Sequence, residues 1–346
     1  MVIVIRVVEN NWSYMQPNKI NFVSEKMKNF KIAVVIPCYK CSDSILKVIE
    51  KIGSEINKII VVDDCCPEGS GNYVKDNCKD PRVEVVFNKI NLGVGGAMLH
   101  GYSRCLELSQ DIIVKLDGDG QMDPSLIPRF ISPIVRGKAD YCKGNRFFFL
   151  EDLKDMPKIR LFGNSVLSFM NKLSSGYWNI FDPTNGYTAI SSKALTLINF
   201  EKVSNRYFFE SDLLFHLYLA RAVVLDIPMK AIYGDERSNL KISKIISEFL
   251  FKHFVNFQKR IFFTYFLRNF SFGSIELVAG SILFIFGLIF GLFHWFQSSV
   301  QSLPATPGTV MLAALTFVLG IQFLVSFFHE DISLVPKTPL TSLLEE

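Results

Sequence analysis

Three aspartates, Asp117, Asp119 and Asp123, fall within seven positions of the stretch KLDGDGQMDP, directly after an apolar run. Carboxylates this close repel and raise one another's pKa unless a positive charge sits among them. The spacing therefore calls for screening water or a cation. Calcium is the first cation to test, because DGDGQMD opens like an EF-hand loop. That loop needs glycine at its sixth position and glutamate at its twelfth, where this sequence has Met122 and Pro128. What survives is Asp-x-Asp-x-Gln. On an extended segment Asp117, Asp119 and Gln121 point the same way and offer hard oxygen ligands to Mg²⁺ or Mn²⁺, which commonly complete their shell with substrate phosphates. Asp123 precedes Pro124 and an expected helix, so it reads as an N-cap.

Two other clusters invite chemistry. Gly93, Gly95 and Gly96 in NLGVGGAM suggest a dinucleotide fingerprint, but Met98 stands where its third glycine belongs and the segment does not follow the first strand. A close-packed helix start is expected instead. All seven cysteines lie between Cys38 and Cys142. Cys38 and Cys41 form a CxxC, yet no second correctly spaced pair accompanies it, so free thiols rather than a zinc site are expected.

Positioning these residues requires a scaffold, and β-branched apolar runs supply one. Strands are expected at 32–37 (IAVVIP), 59–64 (IIVVDD), 83–88 (VEVVFN) and 111–117 (DIIVKLD), with helices at 42–54, 93–108 and 124–136. Continuous apolar strands alternating with helices predict a doubly wound, mostly parallel α/β sheet covered on both faces. Such sheets bind ligands at the carboxyl ends of their strands. Those ends carry Pro37, Cys38 and Tyr39, then Asp63 and Asp64, then Asn88, then Asp117 and Asp119.

The chain has 346 residues, a formal net charge of +4 and 49% apolar content. Two uncharged apolar stretches at 277–296 and 309–328 are each long enough to span a bilayer core of about 20 helical residues. A loop with prolines and a glycine joins them, as in a helical hairpin. Lys252, Lys259, Arg260 and Arg268 precede the first span and the loop has no charge, so the basic side is expected to face the cytoplasm. Residues 241–268 repeat apolar side chains at helical spacing opposite Lys244, Lys252, Lys259 and Arg260, which predicts an amphipathic helix in the membrane interface. The expected organisation is an N-terminal extension at 1–30, an α/β domain at 31–240, juxtamembrane helices at 241–272, a hairpin at 273–330 and a tail at 331–346.

From about Lys31 to Lys241 the chain resembles family 2 glycosyltransferases of GT-A fold, in the branch similar to dolichol-phosphate mannose synthase and bacterial polyprenyl-phosphate glycosyltransferases. IPCYK at 36–40 resembles the family's IPxYN, with Lys40 departing from it. VVDDCCPEGS at 61–70 resembles VVDDGS, NLGVGGAMLHGY at 91–102 resembles Asn-x-Gly-x-x-x-Ala, DGDGQ resembles the metal motif, and DPTNGY at 182–187 resembles DxxSGF. The resemblance implies that Pro37, Tyr39, Asp63, Asp64, Asn91, Gly93, Asp117 and Asp182 bind the nucleotide sugar. It also implies that Asp117, Asp119 and Gln121 hold Mg²⁺ or Mn²⁺. GNRF at 144–147 and Arg160 with Asn164 resemble acceptor-phosphate positions, so Arg146, Arg160 and Asn164 are expected there. In YGDERSNLK, Ser238 aligns with the family's Arg-x-x-Gly-x-Ser-Lys, and Arg237 is the nearest substitute for its basic residues.

The implied activity is inverting transfer of a hexose-type sugar from a nucleoside-diphosphate sugar to a polyprenyl phosphate, undecaprenyl or dolichyl, with Asp119, Arg146, Arg160 and Glu210 as catalytic candidates. The implied setting is a bacterial inner membrane with the catalytic domain in the cytoplasm. No nucleic-acid partner is expected, and homo-oligomerisation stays open. Two rivals remain: transfer to a hydroxyl of a glycolipid or polysaccharide with Glu210 or Asp212 as base, and a catalytically silent sugar-nucleotide binder in the membrane.

Overall fold

The computed structural model describes residues 26–149, 158–230 and 242–343. Most of the expected N-terminal extension and the whole YGDERSNLK segment, including Arg237, lie outside the described residues, as does the Arg160 side chain. The chain divides into two compact units, Met1–Phe251 with Pro336–Glu346, and Lys252–Val335.

The first unit is built on β1 (Ile32–Cys38), β2 (Lys58–Asp63), β3 (Val83–Phe87), β4 (Ile112–Lys115), β5 (Tyr141–Asn145), β6 (Thr188–Ser191) and β7 (Val224–Pro228). They form a single sheet in the order β3-β2-β1-β4-β6-β5-β7. β3, β2, β1 and β4 run parallel, as do β5 and β7, and only β6 runs antiparallel to its neighbours. The mostly parallel doubly wound sheet expected from the strand pattern is therefore present. Its central strands are apolar throughout because helices cover both faces: Ile32, Val34, Ile36, Ile59, Val61, Ile112 and Val114 are buried in one cluster with Ile45, Val48, Phe130 and Ile131 from the helices.

Several expectations shift in detail. The helix expected at 42–54 is confined to Ile45–Glu50, and the fourth strand stops at Lys115, two residues before Asp117. Asp117 to Gly120 then form a turn, with Gly120 at φ +80°. The alternation that was to put Asp117, Asp119 and Gln121 on one side of an extended segment is absent, and any convergence of their oxygens comes from the turn. Asp123 does cap the short 3₁₀ turn Pro124–Leu126, accepting from Ser125 N at 3.0 Å. The Leu340–Leu343 turn near the C-terminus belongs to this unit too. Leu340 N and Thr341 N donate to the fully buried Asp140 carboxylate at 3.0 and 3.4 Å, which also accepts from Val223 N.

The second unit contains the end of the Ile242–Phe262 helix, a π-helical turn Phe263–Arg268 and the long helices Phe272–Gln301 and Pro307–Ser333. The two long helices are long and apolar enough to cross a membrane, and most of their side chains are exposed. Apart from Phe327, the buried positions there are small or polar. A Cβ added at Gly287 would lie 2.5 Å from Phe317 N, and one at Gly280 would lie 2.9 Å from Phe323 Cβ, so the backbones can approach only because side chains are missing. Arg260, expected on the solvated basic face, is instead fully buried. It donates to both Asp331 oxygens, at 2.6 and 3.1 Å, and Tyr265 Oη donates to the same carboxylate at 3.0 Å. Phe254 and Phe262, on the apolar side of the Ile242–Phe262 helix, are exposed.

Candidate active site

Polar side chains gather at the carboxyl ends of the strands because loops there leave the sheet in succession. β2 ends at Asp63, whose Oδ1 accepts from Cys66 N at 2.8 Å and Oδ2 from Gly71 N at 2.7 Å. That carboxylate holds the first turn of the Ser70–Asn77 helix, where a negative charge also opposes the helix dipole. Asp64 accepts from Asn88 Nδ2 at 2.8 Å, Leu92 N at 2.9 Å and Gly93 N at 2.7 Å, and Asn91 Nδ2 donates to its carbonyl. Gly93 needs no Cβ at φ +83° and opens the Gly93–Glu107 helix. Both buried aspartates thus order the loops of the expected nucleotide end. Pro37 lies within β1 and Tyr39 is exposed just beyond it.

The expected metal end is organised by a residue the sequence reading passed over. Lys115, 2% exposed, closes β4 and places its ammonium 3.2 Å from Asp117 Oδ1 and 3.1 Å from Glu210 Oε1. Burial alone would push this ammonium down, but the two carboxylates hold it above its ordinary value. The positive charge that the aspartate cluster demands is thus partly supplied by the chain itself. Asp119 accepts from Gln121 N at 2.9 Å. Among the described residues no three His, Cys, Asp or Glu side chains converge on a metal position. Asp117 and Asp119 still fit a hard divalent cation, since Mg²⁺ and Mn²⁺ are commonly held by one or two carboxylates and completed by substrate phosphates.

A second polar group lies across β5, β6 and β7. In sheet register Lys115 faces Thr188, Thr188 faces Lys143, and Lys143 faces Asp226, so two lysines and a carboxyl share one row. Lys143, fully enclosed, is pushed down to about 8 by burial and donates to the Asn185 carbonyl. Burial pushes Asp226 up to about 7, although Phe181 N and Asn145 Nδ2 donate to its Oδ2. The Arg146 guanidinium grips Asp182 in a fork, Nε to Oδ2 at 2.8 Å and Nη2 to Oδ1 at 3.0 Å. The expected acceptor arginine and the expected donor-binding aspartate therefore bind each other. Their loop also carries Gly186, where an added Cβ would lie 2.6 Å from Lys115 Nζ and 2.8 Å from Asp117 Oδ2.

Glu210 and Asp212 occupy the first turn of the Phe209–Leu219 helix and are both buried. Glu210 reaches Lys115, whereas Asp212 accepts from Ser204 N at 2.7 Å. Asn164 is half-buried on the Lys158–Ser175 helix, and Arg160 lies on that helix's first turn. The structure thus joins Asp117, Glu210 and the 182–187 loop through Lys115. A signal for Lys115 and Lys143 existed in the sequence: a lysine inside a buried strand must have a partner for its charge.

Residues 33–197 match the family model described as Glycosyl transferase family 2. The chain carries a family 2 glycosyltransferase domain. Among curated relatives, a UDP-N-acetylglucosamine–dolichyl-phosphate N-acetylglucosaminyltransferase of Methanococcus voltae is 29% identical over 218 residues, covering 59% of this chain and 86% of the relative. An undecaprenyl-phosphate mannosyltransferase of Micrococcus luteus is 25% identical, covering 58% and 82%. Among solved structures, glucosyl-3-phosphoglycerate synthase from Mycobacterium tuberculosis, crystallised with Mn²⁺ and UDP-glucose, superposes with a TM-score of 0.53 at 17% identity over 70% of this chain and 82% of that one. That likeness bears out the GT-A type fold.

Proposed function

We propose that this protein moves a hexose-type sugar from a nucleoside diphosphate to a polyprenyl phosphate at the cytoplasmic face of a membrane, with inversion. The observation that carries the reading is the union, in one chain, of a family 2 domain whose strand ends gather Asp117, Lys115 and Glu210 with a helical hairpin apolar on its exposed surface. The named relatives act on dolichyl and undecaprenyl phosphates, which supports the same acceptor class here.

In the proposed reaction an acceptor phosphate oxygen bonds to the anomeric carbon as the bond from that carbon to the donor diphosphate breaks. A lipid phosphate has a second pKa of about 6, so its oxygen is anionic near neutral pH and needs positioning more than deprotonation. Asp117, Asp119 and Gln121 would hold Mg²⁺ or Mn²⁺, which neutralises charge on the departing diphosphate. Lys115 fixes the Asp117 and Glu210 carboxylates, leaving Glu210 to orient sugar hydroxyls or the acceptor. Arg146, its charge balanced by Asp182, would hydrogen-bond phosphate on the acceptor side, where Arg160, Asn164 and Arg237 are the further candidates. Pro37, Tyr39, Asn91 and Gly93, in loops braced by Asp63 and Asp64, form the donor's nucleotide end. Asp212 is engaged by a backbone N–H, which disfavours the hydroxyl-acceptor route with that residue as base.

The test is transfer of radiolabelled sugar from a panel of nucleotide sugars to short-chain polyprenyl phosphate, with Mn²⁺, Mg²⁺ or chelator. Lipid-linked sugar that requires the metal is expected. Absence of product with every donor would overturn the reading.

A further inference from the structure

The CxxC that sequence reasoning left as free thiols sits against the candidate metal turn. Cys38 ends β1 and is fully buried, while Cys41 is partly exposed. Lys40 between them adopts φ +55°, a left-handed turn that lays the two sulphurs side by side, with Sγ atoms 3.4 Å apart. The Cys41 sulphur packs on the backbone of Gly118, the residue between Asp117 and Asp119: a Cβ placed there would lie 3.0 Å from Cys41 Sγ. Ser44 Oγ ties the same loop to that turn by donating to Gly118 O at 2.6 Å. A third thiol, Cys66, reaches Ser70 Oγ at 3.2 Å, and the Cys41 N–H donates to that same oxygen at 3.3 Å.

We propose that Cys38 and Cys41 are a reversible dithiol–disulfide site whose closure displaces the turn holding Asp117 and Asp119. Disulfides in a reducing cytoplasm are commonly transient and redox-sensing, and CxxC spacing is the usual framework for such exchange. The oxidant is a small-molecule disulfide. The Cys41 thiolate attacks one of its sulphurs and expels a small thiolate; the Cys38 thiol gives that thiolate its proton, attacks Cys41 Sγ in the mixed disulfide and releases the second small thiol. Two protein thiols lose two electrons and two protons, and the small disulfide gains them. Exposure supports this order of attack, since Cys41 is partly open to a small disulfide and Cys38 is fully buried. Bond formation draws the sulphurs from 3.4 Å to about 2.05 Å, withdrawing Cys41 from Gly118 by a distance that the turn must follow. Displacement of catalytic groups by about 1 Å costs up to about a hundredfold in rate.

The site itself is independent of the proposed transfer, and its effect on rate rests on that reading. The full chain in detergent is exposed to oxidised glutathione or to dithiothreitol, digested without reduction and analysed by mass spectrometry. A Cys38–Cys41 linked peptide that dithiothreitol removes is expected, together with a reversible fall in transfer of about ten- to a hundredfold that Cys41→Ser abolishes while keeping the reduced wild-type rate. Glutathione addition to exposed Cys65 with Cys38 and Cys41 still reduced would overturn the proposal, as would pairing of either with Cys66 or a linked peptide that leaves the rate unchanged. A reduced wild type inactive with every donor would instead count against the transfer reading, and the linked peptide would then decide the site alone.

Discussion

In the unit around the sheet, Ile32, Val34, Ile59 and Val114 are completely buried, and the lysines and carboxyls that enter the interior, such as Lys115, Lys143 and Asp226, meet partners from neighbouring strands and loops. In Lys252–Val335 the positions with no exposure are Arg260, Tyr265 and Asp331, while Ile282, Phe293 and Trp295 are 63, 63 and 73% exposed. Glu276 accepts from Ser326 and Glu330 from Ser271 in the same buried base, each at 2.6 Å. One unit hides its apolar side chains, and the other leaves most of those on its long helices exposed. The contrast teaches more than hydropathy alone, because a core helix of a soluble protein would match these helices in composition but not in which face it hides.

The comparison can be broken first where a polar interior matters most. Asp331→Ala leaves the Arg260 charge enclosed without its carboxylate, and a loss of about 3–5 kcal/mol is expected, read by denaturant titration in detergent with nucleotide-sugar binding by the first unit retained. Asp119→Ala attacks a half-buried carboxylate of the other unit, and there the loss should fall on rate: a drop of about 10²–10³ in lipid-linked product, with unchanged unfolding. Full activity in that variant would remove the metal assignment. On the exposed apolar face of the long helices, Ile282→Asp is expected, under the proposed membrane setting, to cost about 2.5–3.5 kcal/mol of insertion, measured by glycosylation-site mapping of a translocated reporter.

Smaller effects sharpen the contrast. Asp226 binds its proton more tightly folded, near pH 7, than at the ordinary value of 3.8. Its contribution to stability is therefore full below about pH 4 and lost as pH rises through 7. Asp226→Asn should flatten that part of a thermal-stability profile, and an unchanged slope would count against the buried acid. The smallest change is expected from Phe87→Ser, 44% exposed at the sheet edge, which should shift stability by no more than about 0.5 kcal/mol.

The first four strands were legible because β-branched apolar residues dominate them, with charged residues such as Glu84 and Lys115 the exception, and Asp123 was legible because capping is a local transaction between neighbours. β5, β6 and β7 were not. Their inward rows include Lys143, Asn145, Thr188 and Asp226, which look like surface residues until partners from other strands are known. Lys115 was visible in the opening stretch, but Glu210 is 95 positions away, and no local spacing rule links them. Arg260 misled for the same reason, its partner Asp331 lying 71 positions on. The order of the motifs pointed to the carboxyl ends of the strands, where the structure gathers these side chains; it could not show that Arg146 and Asp182 neutralise each other or that Asp63 and Asp64 tie down loops.

The contact of the C-terminal segment with Asp140 has a consequence for biosynthesis. Leu340 and Thr341 supply two of the three backbone N–H groups that compensate this buried carboxylate, and they emerge from the ribosome only after both long helices. The first unit can therefore collapse early, yet it stays one anchor short until residues 340 and 341 have been made. A chain stopped before them would leave the Asp140 carboxylate with the Val223 N–H and without those two donors, so the last contact of this unit is set by the end of synthesis.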